Sequence, residues 1–480
     1  MAPLRQIHLH LQLPLLVVVV VVVVVGAVTA QAAVSGALGV NYGQLGSDLP
    51  PPSRAVQLLR SVGAARVKLY DANPAILATL AGTELQASVM LPNQLIPAAA
   101  ANQSFADLWV ASNLVPFRSS VRLRFLLVGN EILSDYSIRN STWPHLIRAM
   151  ERLHRSLKTH SLRRMKVGTT LAMDVLGTSF PPSAGVFRSD IADPVMVPLL
   201  RFLLRSRSFF FLDAYPYFPW TANSAIISLD YALMVKGAKT YTDPGSGLTY
   251  TNLLDQQLDA VFAAMTRLGF RDVPLVIAET GWPNGGDYDQ IGANVRNAAI
   301  FNRNLARRMS AKPPAGTPAR PGATIPTFVF SLFNEDQKPG PGTERHWGIF
   351  YPNGTGVYGI DLTGKKPDAA FAPLPAATNN EPFKGKIWCV VAPGKERNTT
   401  ELAAAVAYAC GQVKAGACRA ISPGGSCYRR DSPAWHAGYA FNLYWQQFRS
   451  SGGTCYFNGL ATQTIKDPSA GSCKFSSAAS

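Results

Sequence analysis

Two glutamates end apolar runs in this chain. Phe125-Leu126-Leu127-Val128-Gly129-Asn130-Glu131 carries the first, and Leu275-Val276-Ile277-Ala278-Glu279-Thr280-Gly281-Trp282-Pro283 the second. Both runs read as buried strands, a costly setting for an unused charge. An α/β barrel keeps its catalytic groups at the C-terminal tips of such strands. Two carboxyl groups placed there are the minimum equipment for hydrolysing a glycosidic bond. Most glutamates merely solvate a surface, but neither run offers a solvated environment.

The elements that must position them recur along the chain. Apolar, β-branched or aromatic runs occupy Leu38–Tyr42, Arg66–Asp71, Gln86–Leu91, Arg124–Glu131, Lys166–Leu171, Phe209–Tyr215, Leu275–Glu279 and Thr327–Phe333. Helix-period stretches lie between several of them. Val56, Leu59 and Val62 follow a capping Ser53 and precede Gly63. Leu146, Met150, Leu153 and Leu157 follow Thr142 and Pro144, and Leu254, Leu258, Val261, Met265 and Leu268 end at Gly269. Strand and helix alternating about eight times predict an α/β fold, a (β/α)8 TIM barrel. An open doubly wound sheet is the alternative, but no Gly-x-Gly-x-x-Gly follows the first strand. On this count Glu131 ends strand four and Glu279 strand seven, so both face one mouth.

Composition bounds the rest. A length of 480 residues suits one large barrel with an appendage. The formal net charge of +16 comes from scattered Lys and Arg with no long basic block. It reads as general surface basicity suited to an anionic matrix, and not as nucleic-acid binding. Residues 1–33 read as a secretory signal: Arg5 is the positive start, Leu15–Val25 an apolar stretch with nine consecutive valines, and Thr29-Ala30-Gln31-Ala32 a cleavage region. That stretch is short for a membrane span. The C-terminus lacks the apolar tail of a lipid-anchor signal, so export without an anchor is expected.

All six cysteines lie between 389 and 473. In an exported chain they read as a disulfide framework in a small domain, since no C-x-x-C pair favours zinc. The resulting division is a barrel over 34–366, a Pro- and Ala-rich linker over 367–386, and a cysteine-rich domain over 387–474. Glycosylation sequons start at Asn102, Asn140, Asn353 and Asn398.

Gly129-Asn130-Glu131 and Ala278–Pro283 resemble plant endo-1,3-β-glucosidases of glycoside hydrolase family 17. So do Gly39-Val40-Asn41-Tyr42-Gly43, Val67-Lys68-Leu69-Tyr70-Asp71 and Phe333-Asn334-Glu335-Asp336-Gln337-Lys338. The resemblance spans about residues 37–366 with its motifs in the expected order. It implies a (β/α)8 fold and endohydrolysis of 1,3-β-glucan with retention, from two carboxyls about 5–5.5 Å apart. It also implies Glu131 as general acid/base, Asn130 beside it on the sugar 2-hydroxyl, and Glu279 as nucleophile. Glu335, Lys338 and Glu344 match an accessory charged cluster, in which Lys338 holds a carboxylate ionised or the three form a structural ion network. Of the aromatics near the mouth (Tyr42, Tyr70, Tyr215, Tyr217, Phe218, Trp282, Trp347), Tyr42, Tyr215 and Trp282 are the expected sugar-contacting residues. Phe209-Phe210-Phe211 are expected in the core.

Ile387-Trp388-Cys389-Val390-Val391, Ala407-Tyr408-Ala409-Cys410, Tyr439–Trp445 and Gly453–Gly459 resemble the X8, or family 43, carbohydrate-binding domain. That resemblance implies 1,3-β-glucan binding and the pairs Cys389–Cys455, Cys410–Cys418 and Cys427–Cys473, where sequence alone leaves fifteen connectivities open. Trp388 is expected in its core, with Tyr444 and Tyr456 exposed. No metal or organic cofactor is implied, the partner is a polysaccharide, and a monomer is expected. A transglycosylase, or a glucan-binding wall protein with an idle barrel, are the competing functions.

Overall fold

The computed structural model describes residues 37–477; the expected signal at 1–33 lies outside the described residues. Eight parallel strands close into a barrel: β1 (Gly39–Tyr42), β2 (Arg66–Leu69), β3 (Gln86–Leu91), β4 (Arg122–Asn130), β5 (Lys166–Ala172), β6 (Phe210–Asp213), β7 (Leu275–Thr280) and β8 (Thr327–Val329). Each strand pairs with the next in sequence, and β8 closes on β1 through Gly39 opposite Phe328 and Val40 opposite Val329. Strands covered on both faces need apolar residues at nearly every position, which is why each was readable as a run. Val40, Val67, Leu126, Val128 and Ile277 are fully buried.

Helices form the outer layer. In α2 (Leu146–Thr159), Leu146, Ala149, Met150, Leu153 and Leu157 recur every three or four residues and are buried, while Arg148, Glu151 and Arg155 are exposed. The α1 helix (Pro52–Ser61) starts one residue before the expected cap Ser53. Pro51 holds the N-cap position without a side-chain bond, and Pro52 opens the helix, a place where its missing N–H costs nothing. Asn252 caps α3 (Leu253–Arg267) by accepting from the Asp255 N–H, and Asn294 caps α4 (Val295–Met309) by accepting from that of Asn297.

The C-terminal region pairs β9 (Trp388–Val391) antiparallel to β10 (Ala461–Thr464) against α5 (Thr399–Gln412) and α6 (Pro433–Phe448). Ile387, Leu402, Phe441, Trp445 and Leu460 make a small core. Three disulfides staple it, with Cα separations of 5.7 Å (Cys389–Cys455), 5.8 Å (Cys410–Cys418) and 4.6 Å (Cys427–Cys473). Trp388 is buried and donates from its indole to the Phe475 carbonyl.

Residues 367–386 lack apolar periodicity, yet they are bonded along the barrel. Asp368 pairs with Arg307 at 2.5 Å, and the Arg303 guanidinium covers the Phe371 ring at 4.2 Å. Asn379 donates to the carbonyls of Gln290 and Ala293, and its own carbonyl accepts from the Gly292 N–H. The buried amides of Asn294 and Asn297 donate to the Asn380 side chain at 3.0 and 2.7 Å. Gln463 of β10 accepts from the Tyr288 N–H and donates to Asp289, while Arg345 covers the Tyr456 ring at 4.2 Å. The disulfide-bonded region is thereby fastened beside the loops that follow β7 and β8.

Candidate active site

A cavity of about 920 Å³ opens at the C-terminal mouth of the barrel, lined by Glu131, Glu279, Asn130, Asp213, Tyr215 and Glu335 among others. Glu131 follows β4 directly, in a left-handed conformation (φ 48°), two residues after Gly129 (φ 77°). A side chain at Gly129 would meet Ile132, Ile96 and Asn93 within 3 Å, so glycine is required there. The turn is pinned from both sides. The Asn93 side chain exchanges hydrogen bonds with the Asn130 N–H (2.8 Å) and carbonyl (3.0 Å), and the Glu131 N–H donates to the Thr170 carbonyl. Backbone strain held by such over-determination is typical of functional positions.

Glu279 sits on β7, buried, at the centre of three donors. Lys68 of β2 donates to Oε1 at 2.6 Å, Tyr70 to the same oxygen at 2.5 Å, and Tyr215 to Oε2 at 2.7 Å. Burial alone would raise its pKa, but the Lys68 charge and these bonds hold the carboxyl below its ordinary value. Glu131 behaves oppositely. Burial, then the negative charge of Glu279, push it up to about 7, with Lys68 opposing. One cavity therefore holds a carboxyl biased toward its ionised form beside one biased toward its protonated form.

The model of the family described as "Glycosyl hydrolases family 17" matches residues 38–362, and that of the X8 domain matches residues 387–462. The chain belongs to glycosyl hydrolases family 17. It is 51% identical over 440 residues to a probable glucan endo-1,3-beta-glucosidase A6 of Arabidopsis thaliana, covering 92% of this chain and 91% of that one. A glucan endo-1,3-beta-D-glucosidase of Olea europaea is 36% identical over 441 residues, covering 92% and 93%. Among solved structures, CJP38, a beta-1,3-glucanase and allergen of Cryptomeria japonica pollen, superposes with a TM-score of 0.64 at 35% identity. It aligns over 68% of this chain and 99% of its own.

Within this family 17 hydrolase, the expected site residues do not all meet the cavity. Asn130 does, its side-chain oxygen accepting from the Thr170 hydroxyl at 2.8 Å. Glu335, Lys338 and Glu344 do too. Glu335 accepts from the Leu45 N–H at 2.8 Å, and Lys338 pairs with Glu344 at 3.1 Å. The cation on Glu279 is Lys68. Trp282, expected on sugar, is fully buried instead, packed against Tyr217, Trp220 and Phe301, with its indole bonded to the Gly292 carbonyl. Tyr42 is likewise buried, edge-on to Phe333, and burial, with the Glu335 charge adding to it, pushes its hydroxyl up to about 12. The aromatic wall of the cavity includes Tyr215, Phe218, Phe330 and Trp347, whose rings contact one another, with Tyr70 beside Glu279. In the disulfide-bonded region Tyr444 and Tyr456, expected exposed, are half-buried: Tyr444 packs against Tyr408, Phe448 and Phe457, and Tyr456 docks on the barrel.

Proposed function

We propose that this chain is an exported, retaining endo-1,3-β-glucanase in which Glu131 is the general acid/base and Glu279 the nucleophile. The observation that carries the assignment is the opposite protonation bias of the two carboxyls on one cavity. The bond cleaved is taken from family membership and from the glucan endo-1,3-beta-glucosidases it resembles. Glu131 protonates the glycosidic oxygen while Glu279 bonds to the anomeric carbon. Water then displaces Glu279 and gives its proton to Glu131. Asn130 meets the sugar 2-hydroxyl, Lys68, Tyr70 and Tyr215 keep Glu279 ionised and aimed, and Phe218 with Trp347 offers apolar surface to a pyranose face. Glu335, Lys338 and Glu344 shape the rim.

Residues 34–366 do the chemistry, 367–386 connect, and 387–474 hold polymeric 1,3-β-glucan. The disulfides suit an oxidising compartment, and no helix among the described residues is long and apolar enough to cross a membrane. Asn102, Asn140 and Asn353 are exposed and open to glycosylation, while Asn398 is partly covered and bonded to Glu401. The test is reducing-end release from a linear 1,3-β-glucan, with the anomer of the first product read by proton NMR. Release of the β-anomer is expected. No release, or the α-anomer, refutes the reading, and products longer than the substrate turn it to a transglycosylase.

A further inference from the structure

A third carboxyl stands in the same cavity and has no place in the two-carboxyl scheme. Asp213 is the last residue of β6, buried, opposite Glu279 of β7 on one side and Ala172 of β5 on the other. The charged and titratable groups around it are Glu131 on β4, Glu279 on β7, Lys68 on β2, and the hydroxyls of Tyr70 and Tyr215. Every donor in that set is committed elsewhere: Lys68, Tyr70 and Tyr215 all bond to Glu279. Among the described residues no N–H or hydroxyl donates to either Asp213 oxygen. Glu131 lines the same cavity and takes none of those three donors, so it is the acceptor left for Asp213, and two carboxyls bond to one another only when one carries a proton.

An ionised Asp213 would be a buried anion without a donor, a state that buried groups avoid by taking up a proton. Burial, then the negative charge of Glu279, push Asp213 well above the ordinary carboxylate range. Protonation also balances the cavity. With Glu131 and Asp213 both protonated, the Lys68 charge is matched by Glu279 alone. When Glu279 becomes an ester, the negative charge moves to Glu131, which faces Asp213.

We propose that Asp213 is a positioning residue that stays protonated through the cycle and donates a hydrogen bond to Glu131, so that Glu131 gives up its proton more readily to the leaving group. This rests on the roles given above for Glu131 and Glu279. The proton of Asp213 is not transferred; it stabilises the carboxylate that Glu131 becomes as its own proton passes to the glycosidic oxygen.

Two variants and one spectrum test it. Asp213→Asn keeps a neutral donor of the same shape, so the alkaline limb of the kcat/KM profile on an aryl 1,3-β-gluco-oligoside should stay within about 0.3 pH units of the parent's. Asp213→Ala removes the donor. Its alkaline limb should move up, and release of a leaving group that needs the Glu131 proton should slow by about 10- to 100-fold, the worth of a hydrogen bond to a charged group. Release of an aryl group that needs no proton should change little. A merely structural role would slow both alike without moving the limb. A downward shift of a unit or more in Asp213→Asn would show that Asp213 had been ionised, and would overturn the proposal. So would Asp213→Ala with neither a limb shift nor a difference between the two leaving groups.

The infrared spectrum needs no turnover. At a pH where Glu131 has ionised, the parent should retain a protonated-carboxyl C=O band that Asp213→Asn lacks, and absence of that band in the parent overturns the proposal. A parent inactive on glucan would refute the function while leaving the infrared result to stand alone.

Discussion

Replacing Lys68 by Met removes the one ammonium bonded to Glu279 while keeping the length and apolar character of the stem. Lys68 is fully buried and its Nζ lies 2.6 Å from Glu279 Oε1. Stranding one member of a buried pair typically costs about 3–5 kcal/mol. Much of that cost will be avoided by Glu279 taking up a proton, and at 1.36 kcal/mol per unit this corresponds to a rise of roughly 2–4 pKa units. The bonds from Tyr70 and Tyr215 remain, so the lower end, about two units, is expected. The sign is definite. A higher Glu279 pKa moves the acid limb of the kcat/KM profile up toward the alkaline limb that Glu131 sets at about 7. Losing Lys68 also lifts Glu131, though less, since Lys68 bonds to Glu279; the bell moves to higher pH and narrows from its acid side, and its height falls by about twofold.

Stability moves in the same sense. In the parent, Glu279 has a depressed folded pKa, so its contribution is present above the unfolded value and is lost as pH falls through the folded one. The Tm deficit of Lys68→Met should therefore be largest near neutral pH and shrink in acid. The assay is the pH dependence of kcat/KM on a soluble 1,3-β-gluco-oligosaccharide, paired with thermal melts at both pH extremes. An unmoved acid limb would refute the reasoning, because it would mean that Lys68 does not set the charge of Glu279.

Glu131→Gln should lose activity on ordinary glucan yet be partly spared in the first step when the leaving group needs no proton, which an aryl oligoside measures against the natural polymer. A chain ended after Pro367 should melt lower than one ended after Glu381. Only the longer keeps Asn379 and Asn380 on the buried amides of Asn294 and Asn297, and each unpartnered buried group costs about 1–3 kcal/mol; equal melts contradict the strap. Mild reduction should abolish pull-down by insoluble 1,3-β-glucan while turnover of short oligosaccharides survives, since each bridge in so small a core contributes about 2–5 kcal/mol and the barrel has none. Joint survival or joint loss of the two activities would contradict the assigned division of labour.

The barrel was legible because its strands are covered on both faces, and mostly apolar runs of three to nine residues survive in the sequence as such. Glu131 and Glu279 stood out as charges at the tips of those runs. Lys68 and Asp213 did not, although they are as deeply buried. A single polar residue inside a strand looks like ordinary alternation, and only the closed barrel brings β2, β6 and β7 to one mouth. Trp282 and Tyr42 misled for a related reason: an aromatic residue at a strand end serves sugar or core equally well, and packing from α4 and the loop after β8 decides it. The strap at 367–386 was invisible to hydropathy because Asn379 and Asn380 hold it by amide hydrogen bonds, which leave no periodic trace.

The central claim is that Glu279 becomes covalently bonded to the sugar. A 1,3-β-gluco-oligosaccharide carrying fluorine at C2 of the reacting ring and a good leaving group at C1 forms the glycosyl-enzyme faster than water removes it. Digestion and mass spectrometry of the trapped enzyme should place the added sugar on the peptide containing Glu279, with no adduct in Glu279→Gln. An adduct on Glu131, Asp213 or Glu335, or turnover without any adduct, would contradict the account.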